Sequence, residues 1–424
     1  MYIAHTDLEI QREPFARPFG FKGSAFHEKW NLAVRLRDDA GTEAFGLGGL
    51  AVLWSDADVF AAHTEVGGNV LQTALLEYAL QQVLERDYPT PMDILPNILP
   101  DVHEYGKTVT QNPDLRLTFS LIALVALDNA AWMLYARQNG IDNFDDLIPP
   151  TYRPYLAHHQ PHVAFVPTVS YTLPMEEVQS ILNSGAYVLK IKIGHPGPED
   201  DMVAKDMDWL TQIHDLAGGY ETAMTDSGQV LYYLDANGRY MEKASMARLL
   251  DHAEKIGMRD RIVIIEEPFE EDLEIDVADL PARFAADESI HSIQDVRTRI
   301  EQGYGAMAIK PAGKTLSLGF QMIQAAADAG LPCFVADNGC VPILVEWNKA
   351  IAARLPAFPG LKGNLVESHG TKSYGNWSQL LESYPISNAP WLRPESGAFV
   401  LDEDYYRQSG GIFLDPAPYS DLFR

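Results

Sequence analysis

The sequence predicts an α/β protein: a (β/α) barrel joined to a smaller α+β domain. Three observations carry the prediction. From about residue 160 onward, short apolar runs alternate with amphipathic helical segments at the pace of βα units. In those runs the ionisable residues sit at or near the C-terminal end, where barrels of this kind assemble their chemistry. Finally, 424 residues exceed what one ordinary core holds, so two domains or one large barrel with additions are expected.

Residues 1–140 read as the smaller, α+β domain. The stretch Trp30-Asn31-Leu32-Ala33-Val34-Arg35-Leu36 alternates apolar and polar residues and breaks at Asp38-Asp39-Ala40-Gly41. That is the pattern of antiparallel strands meeting at a turn. Helical periodicity follows in LLEYALQQVL (75–84) and in residues 118–140, the second closed by Gly140 as a helix-ending glycine would close it.

Eight strands are expected in the barrel, residues 160–390. They are HVAFVPTV (162–169), AYVLKIKI (186–193), VLYYLDAN (230–237), RIVIIEEP (261–268), RFAADESI (283–290), AMAIKP (306–311), PCFVAD (332–337) and LKGNLVES (361–368). Together they spell a modified TIM-like barrel, with the first and last modules faintest in pattern. Residues 194–229 hold more than one helix needs, which points to an extra hairpin or ordered loop near 220–230 without chemistry. Residues 391–424 contain no further βα unit and are expected to pack back on the smaller domain.

Charge narrows the partners. Acidic residues outnumber basic ones 59 to 32, a net charge of -27 that repels phosphate backbones and anionic lipid. No nucleic acid partner is expected. The start shows no basic segment followed by an apolar one, and no apolar run is read as approaching the ~20 residues that span a bilayer. The reading is a cytoplasmic protein with no membrane partner, and homo-oligomerisation is left open. Cys333 and Cys340 fit no disulfide or zinc spacing, and Cys333 lies in an apolar run suited to a buried thiol.

The strand ends supply Lys190 and Lys192, then Asp235, then Glu266 and Glu267, then Asp287 and Glu288, then Lys310. Lys190 and Lys192 are two apart and share one face of their strand. Close ammonium groups disfavour each other's charge, which would lower a lysine pKa towards that of a usable base. Three converging carboxylates are costly unless a cation compensates them. Oxygen ligands without His or Cys point to Mg²⁺, with Mn²⁺ as a substitute.

These stretches resemble the enolase superfamily, in its mandelate racemase and muconate lactonizing enzyme branch. The likeness rests on LKIKIG, LDANGRY, IIEEPF, AADESI and AIKP in order, and on REPFARPFGFKG and IALVALDNAAWMLYARQNG before the barrel, which imply that residues 1–140 form the family's capping domain and that residues 391–424 complete it. The resemblance implies that Asp235, Glu266 and Asp287 bind Mg²⁺ and that Asn237 and Glu288 orient those ligands. It implies Lys192 as the base that removes a proton alpha to a carboxylate, Lys190 as its electrostatic partner, and Lys310 as the opposing acid or base. The implied substrate is a small-molecule carboxylate.

With lysines on both sides, racemisation or epimerisation of an amino-acid derivative or dipeptide is the leading expectation. Cycloisomerisation of the muconate type, or dehydration as in an o-succinylbenzoate synthase-like lyase, uses the same site. A metal-binding family member without catalysis is the alternative of another class. A barrel hydrolase would add histidine ligands, and none is read within these strand ends. Phe19, Phe21, Lys22 and Asp337 are the substrate-pocket candidates. His195 and His291, just beyond strand ends, are expected to be structural.

Overall fold

The computed structural model describes residues 1–21 and 24–424. Strands β1 (His5–Phe21), β2 (Ser24–Arg37) and β3 (Glu43–Gly49) form an antiparallel sheet in that order. The β2–β3 turn is the one the sequence marks. Asp38 accepts the Thr42 N–H at 2.7 Å, and Gly41 takes a φ of 86° that a side chain would resist. Between Pro14 and Phe19 the β1–β2 register slips, and beyond that point the hairpin meets the barrel. There Phe15 bridges to Tyr374, their rings 5.1 Å apart.

Helices α1 (Ala57–Val83, broken at Thr64), α2 (Ile94–Thr110) and α3 (Leu117–Asn139) follow; α1 and α3 pack on this sheet, and α2 packs against those two helices. The sheet and α3 meet backbone to backbone. A Cβ on Gly46 would lie 2.1 Å from the Ala130 nitrogen, and one on Gly48 2.6 Å from the Ala126 nitrogen. Helix α3 ends at Gly140, with φ at 66°. It also corrects one expectation: it has 23 residues and a mean hydropathy of 1.7 over an 18-residue stretch, long and apolar enough to cross a membrane. In this fold 94% of its apolar stretch is buried, the setting of a helix that is hydrophobic all round.

Eight parallel strands follow: β4 (His162–Val166), β5 (Val188–Lys192), β6 (Leu231–Asp235), β7 (Ile262–Glu266), β8 (Phe284–Ala286), β9 (Ala306–Ile309), β10 (Cys333–Val335) and β11 (Asn364–Glu367). From β5 to β11 each pairs with the next. Strand β11 returns to β4, with Glu367 opposite Val166, while Thr168, just past β4, pairs with Lys190 on β5. The ring therefore closes across Pro167, which has no N–H to leave unpaired at the changeover. Faint in sequence, β11 begins at Asn364, whose side-chain nitrogen donates to the carbonyls of Cys333 (3.0 Å) and Pro356 (2.7 Å).

Residues 220–230 form an ordered loop with a Glu221–Gln229 bridge. Thr225 pairs with Leu361, at the opposite end of the barrel from the strand termini that carry the acids. The last segment touches both layers. Strand β12 (Ala398–Val400) pairs antiparallel with β4, Ala398 opposite Ala164. Further on, Phe423 packs 5.8 Å from Phe45 of β3, and Asp415 pairs with Arg137 of α3.

Candidate active site

Side chains two apart on a strand share a face. Val188, Tyr233, Ile264, Ala285, Ala308 and Leu365 fill the barrel interior. Two residues later on their strands come Lys190, Asp235, Glu266, Asp287, Lys310 and Glu367, which are thereby turned inward at the C-terminal rim. None of the six is more than 4% exposed. The interior face of Lys190 and Lys192, undecided in sequence, is fixed by this phase: Leu189 and Ile191 pack in the outer core instead.

The lysine ammonium groups stand between the acids. Lys190 Nζ lies 2.6 Å from Glu266 Oε2, 2.8 Å from Asp235 Oδ2 and 3.0 Å from Glu367 Oε2. Lys192 Nζ donates to Asp235 Oδ2 at 2.6 Å and to Asn237 Oδ1 at 2.7 Å. Lys310 donates to Asp287 Oδ2, and Lys314 to the Asp287 carbonyl and, at 3.2 Å, to Oδ1. The Asn237 side-chain nitrogen donates to Glu288 Oε1 at 3.0 Å.

At Lys190 the neighbouring acids outweigh the repulsion of a second ammonium group. Burial alone would depress its pKa, but Asp235, Glu266 and Glu367 outweigh burial and hold the ammonium well above its usual value. Lys310 is raised in the same way: burial opposes its charge, and Asp287, Glu288 and Glu266 overcome it. Among the carboxylates, burial opposes ionisation everywhere, yet Lys190 and Lys192 hold Asp235 low, and Lys190 and His369 hold Glu367 low. Glu266 goes the other way, raised by burial and then by the Asp235 charge.

An inner cavity of about 50 Å³ is lined by Lys190, Lys192, Asp235, Asp287, Lys310, Glu367 and Trp54. An outer one of about 360 Å³ carries Arg17, Thr168, Tyr171 and Lys372, and Phe19, His369 and Ser373 line both. Phe19 thus stands at the junction, its ring 5.5 Å from that of His369. The side chain of Phe21 and all of Lys22 lie outside the described residues. Asp337 also lines the inner cavity, although it is out of phase with inward Phe334 and Ala336. Its oxygens accept the backbone N–H groups of Cys340 and His369, each at 3.1 Å, so it braces the loops around the cavity.

His195 and His291 are tied to neighbouring acids, Asp206 and Asp295. Both cysteines are free and buried.

Sequence reading missed Glu367, His369, Lys314 and Trp54. Glu367 obeys the same rule as its neighbours, an ionisable residue closing an apolar run, but the polar start of β11 hid the strand. His369 stands one residue past the eighth expected strand, 361–368, and so escaped a reading confined to the strand ends. Its Nε2 lies 2.8 Å from Glu367 Oε1 and its Nδ1 2.9 Å from Thr168 Oγ1. Lys314 stands in KPAGK, one turn past Lys310. Trp54 arrives from the other domain and has no local signature.

Among the described residues, no three acidic, histidine or cysteine side chains are gathered closely enough to form a finished metal cage. The donor set nevertheless fits a hard cation. Asp235, Glu266 and Asp287 offer only oxygen, and Glu266 Oε1 is buried without a hydrogen-bond partner. Glu288 Oε2, one shell further out, is unpartnered as well.

No family model matches this sequence, and no curated protein resembles it by sequence. Solved structures do. A mandelate racemase/muconate lactonizing enzyme from Bordetella bronchiseptica superposes with a TM-score of 0.69 at 17% identity, over 99% of both chains. This chain has the mandelate racemase/muconate lactonizing enzyme fold. The L-Ala-D/L-Glu epimerase of Bacillus subtilis superposes with a TM-score of 0.61 at 18% identity, covering 87% of this chain and 89% of its own. A dipeptide epimerase from Enterococcus faecalis, solved with Mg and the dipeptide L-Leu-L-Tyr, gives 0.61 at 17% identity, covering 88% and 92%. In the mandelate racemase/muconate lactonizing enzyme fold of this chain, the small sheet domain sits over the rim that carries the acids, as Phe15, Phe19 and Trp54 show.

Proposed function

We propose that this chain is a Mg²⁺-dependent racemase or epimerase acting at the carbon next to the carboxylate of an amino-acid derivative or dipeptide. The observation that carries the proposal is that Lys192, on the second barrel strand, and Lys310, at the end of the sixth, line one cavity. Two amines on opposite sides of one carbon are what inversion needs. Asp235, Glu266 and Asp287 would hold the ion, with Asn237 and Glu288 orienting them. When bound, Mg²⁺ supplies a Lewis acid that stabilises negative charge growing on the substrate carboxylate.

The chain's own residues do the rest. The inner cavity admits the carboxylate and the reacting carbon, leaving the remainder of the substrate to the outer one. Lys190, held between three acids, adds fixed positive charge beside the carboxylate. Lys192, in its uncharged form, takes the proton from the carbon, and the electron pair moves into the carboxylate. Lys310, charged, returns a proton to the opposite face. For the other enantiomer the two lysines exchange roles. Phe19 and the capping hairpin exclude water from the rim. A small carboxylate is the partner this site suits, and a cytoplasmic setting agrees with it.

The test uses dipeptides and N-succinyl amino acids with MgCl₂ in D₂O, followed by proton NMR. Deuterium should enter at the alpha carbon with inversion. Lys192→Ala and Lys310→Ala should each slow inversion by roughly 10²–10⁴-fold. Turnover with retained configuration counts against a racemase. One observation favours a second reading: His369, paired with Glu367 of the inner cavity, lines both cavities and is placed to protonate a departing hydroxyl. A keto acid product in place of an epimer would select that dehydratase.

A further inference from the structure

We infer that Trp54 is a positioning residue that aims the Lys310 ammonium into the cavity, with Gly313 as the opposite wall of a slot; the inference rests on the racemase reading. Lysine has four flexible bonds, so a buried lysine that must meet one carbon needs a guide. Two independent features supply it. On one side, Lys310 Nζ lies over the Trp54 ring, 4.3 Å from its centroid, where the aromatic face attracts a cation. On the other, a Cβ added at Gly313 would come 2.9 Å from both Cγ and Cδ of Lys310, and 3.2 Å from Trp54 Cη2. The stem therefore passes where only glycine leaves room, and the charged end meets the ring.

Trp54 is firmly held. It lies in the helical turn Val52–Ser55 that follows β3 and packs with Leu53 and with Ile122 of α3. Ser55 anchors the turn, its carbonyl accepting from Thr118 at 2.6 Å and its hydroxyl from Gln72 at 2.8 Å. The guide for a barrel lysine thus belongs to the capping domain. The Trp54 ring meets Lys310, whereas Lys192 donates to Asp235 and Asn237. Loss of Trp54 consequently falls on one direction of proton transfer.

The experiment measures alpha-proton exchange separately from the two epimers of one dipeptide in D₂O, for wild type, Trp54→Leu, Trp54→Phe and Gly313→Ala. The epimer served by Lys310 is the one that Lys192→Ala still exchanges. Trp54→Leu and Gly313→Ala should slow that epimer by on the order of 10²-fold relative to the other, and Trp54→Phe should restore most of the loss. A crystal structure of Trp54→Leu should show the Lys310 ammonium displaced. Equal slowing of both epimers, or a Lys310 unmoved in the Trp54→Leu crystal, overturns the inference. A wild type that exchanges no alpha proton overturns the racemase reading instead, and the crystal structure then decides the role of Trp54 by itself.

Discussion

Glu266 Oε1 is buried at the centre of the site with no donor, while its twin oxygen accepts from both Lys190 and Tyr233. An orphaned carboxylate oxygen is costly unless something positive meets it. Saturating MgCl₂ should therefore raise the melting temperature of the wild type, by about 2.7 kcal/mol of stability at a hundredfold excess over Kd. In Glu266→Gln the shift should vanish in the same scan, and EDTA should reverse it in the wild type. An undiminished shift in the variant would remove Glu266 from the ligand set. At this scale the sequence was most informative where a charge ended an apolar run, because that pattern is local. Trp54 and Gly313 were invisible, since their meaning lies in a contact between two domains.

Single elements carry their own liabilities. Asp128 of α3 accepts from the backbone of Leu316 (2.9 Å) and Ser317 (3.1 Å), joining the central helix to the start of the helix Leu316–Asp328 that follows the sixth barrel strand. Burial pushes its carboxyl up from 3.8 to about 6, against the hydrogen bonds from Ser317 and Leu316. The folded state then holds a proton that the unfolded chain has lost, so this term is fully present below pH 3.8 and disappears as pH rises through 6. Relative to Asp128→Asn, the wild type should gain roughly 2–3 kcal/mol between pH 7 and pH 4, read from urea unfolding at each pH. A constant difference across that range would refute it. The close approach of β3 and α3 predicts a second result: Gly46→Ala should cost about 3 kcal/mol or prevent folding.

Helix α3 shows why element reading succeeds and fails. Its extent and its glycine stop were legible, but its even hydrophobicity looks the same whether lipid or protein surrounds it, and only packing decides. Strand β11 failed for the opposite reason, its first residue being spent on holding neighbouring carbonyls.

The whole molecule is tied together by its last thirty or so residues, which contribute a strand to the barrel wall and an aromatic contact to the capping sheet. Deleting residues 396–424 should abolish the cooperative thermal transition and expose apolar surface to a dye. A milder change, Phe399→Ala, should cost about 3–5 kcal/mol with cooperativity retained, because that ring is buried against Phe165 at 5.7 Å and beneath Lys349. A deletion variant that melts sharply at the wild-type temperature would show the segment to be dispensable.

Strand β12 also sets the order of events during synthesis. Its partner on β4 leaves the ribosome more than two hundred residues earlier. Until the final stretch emerges, the nascent chain presents an unsatisfied strand edge beside a half-built wall, the kind of edge that pairs with other chains. That edge is sealed only once β12 itself has emerged, and a chaperone that shields it until then would act on the ribosome-bound chain.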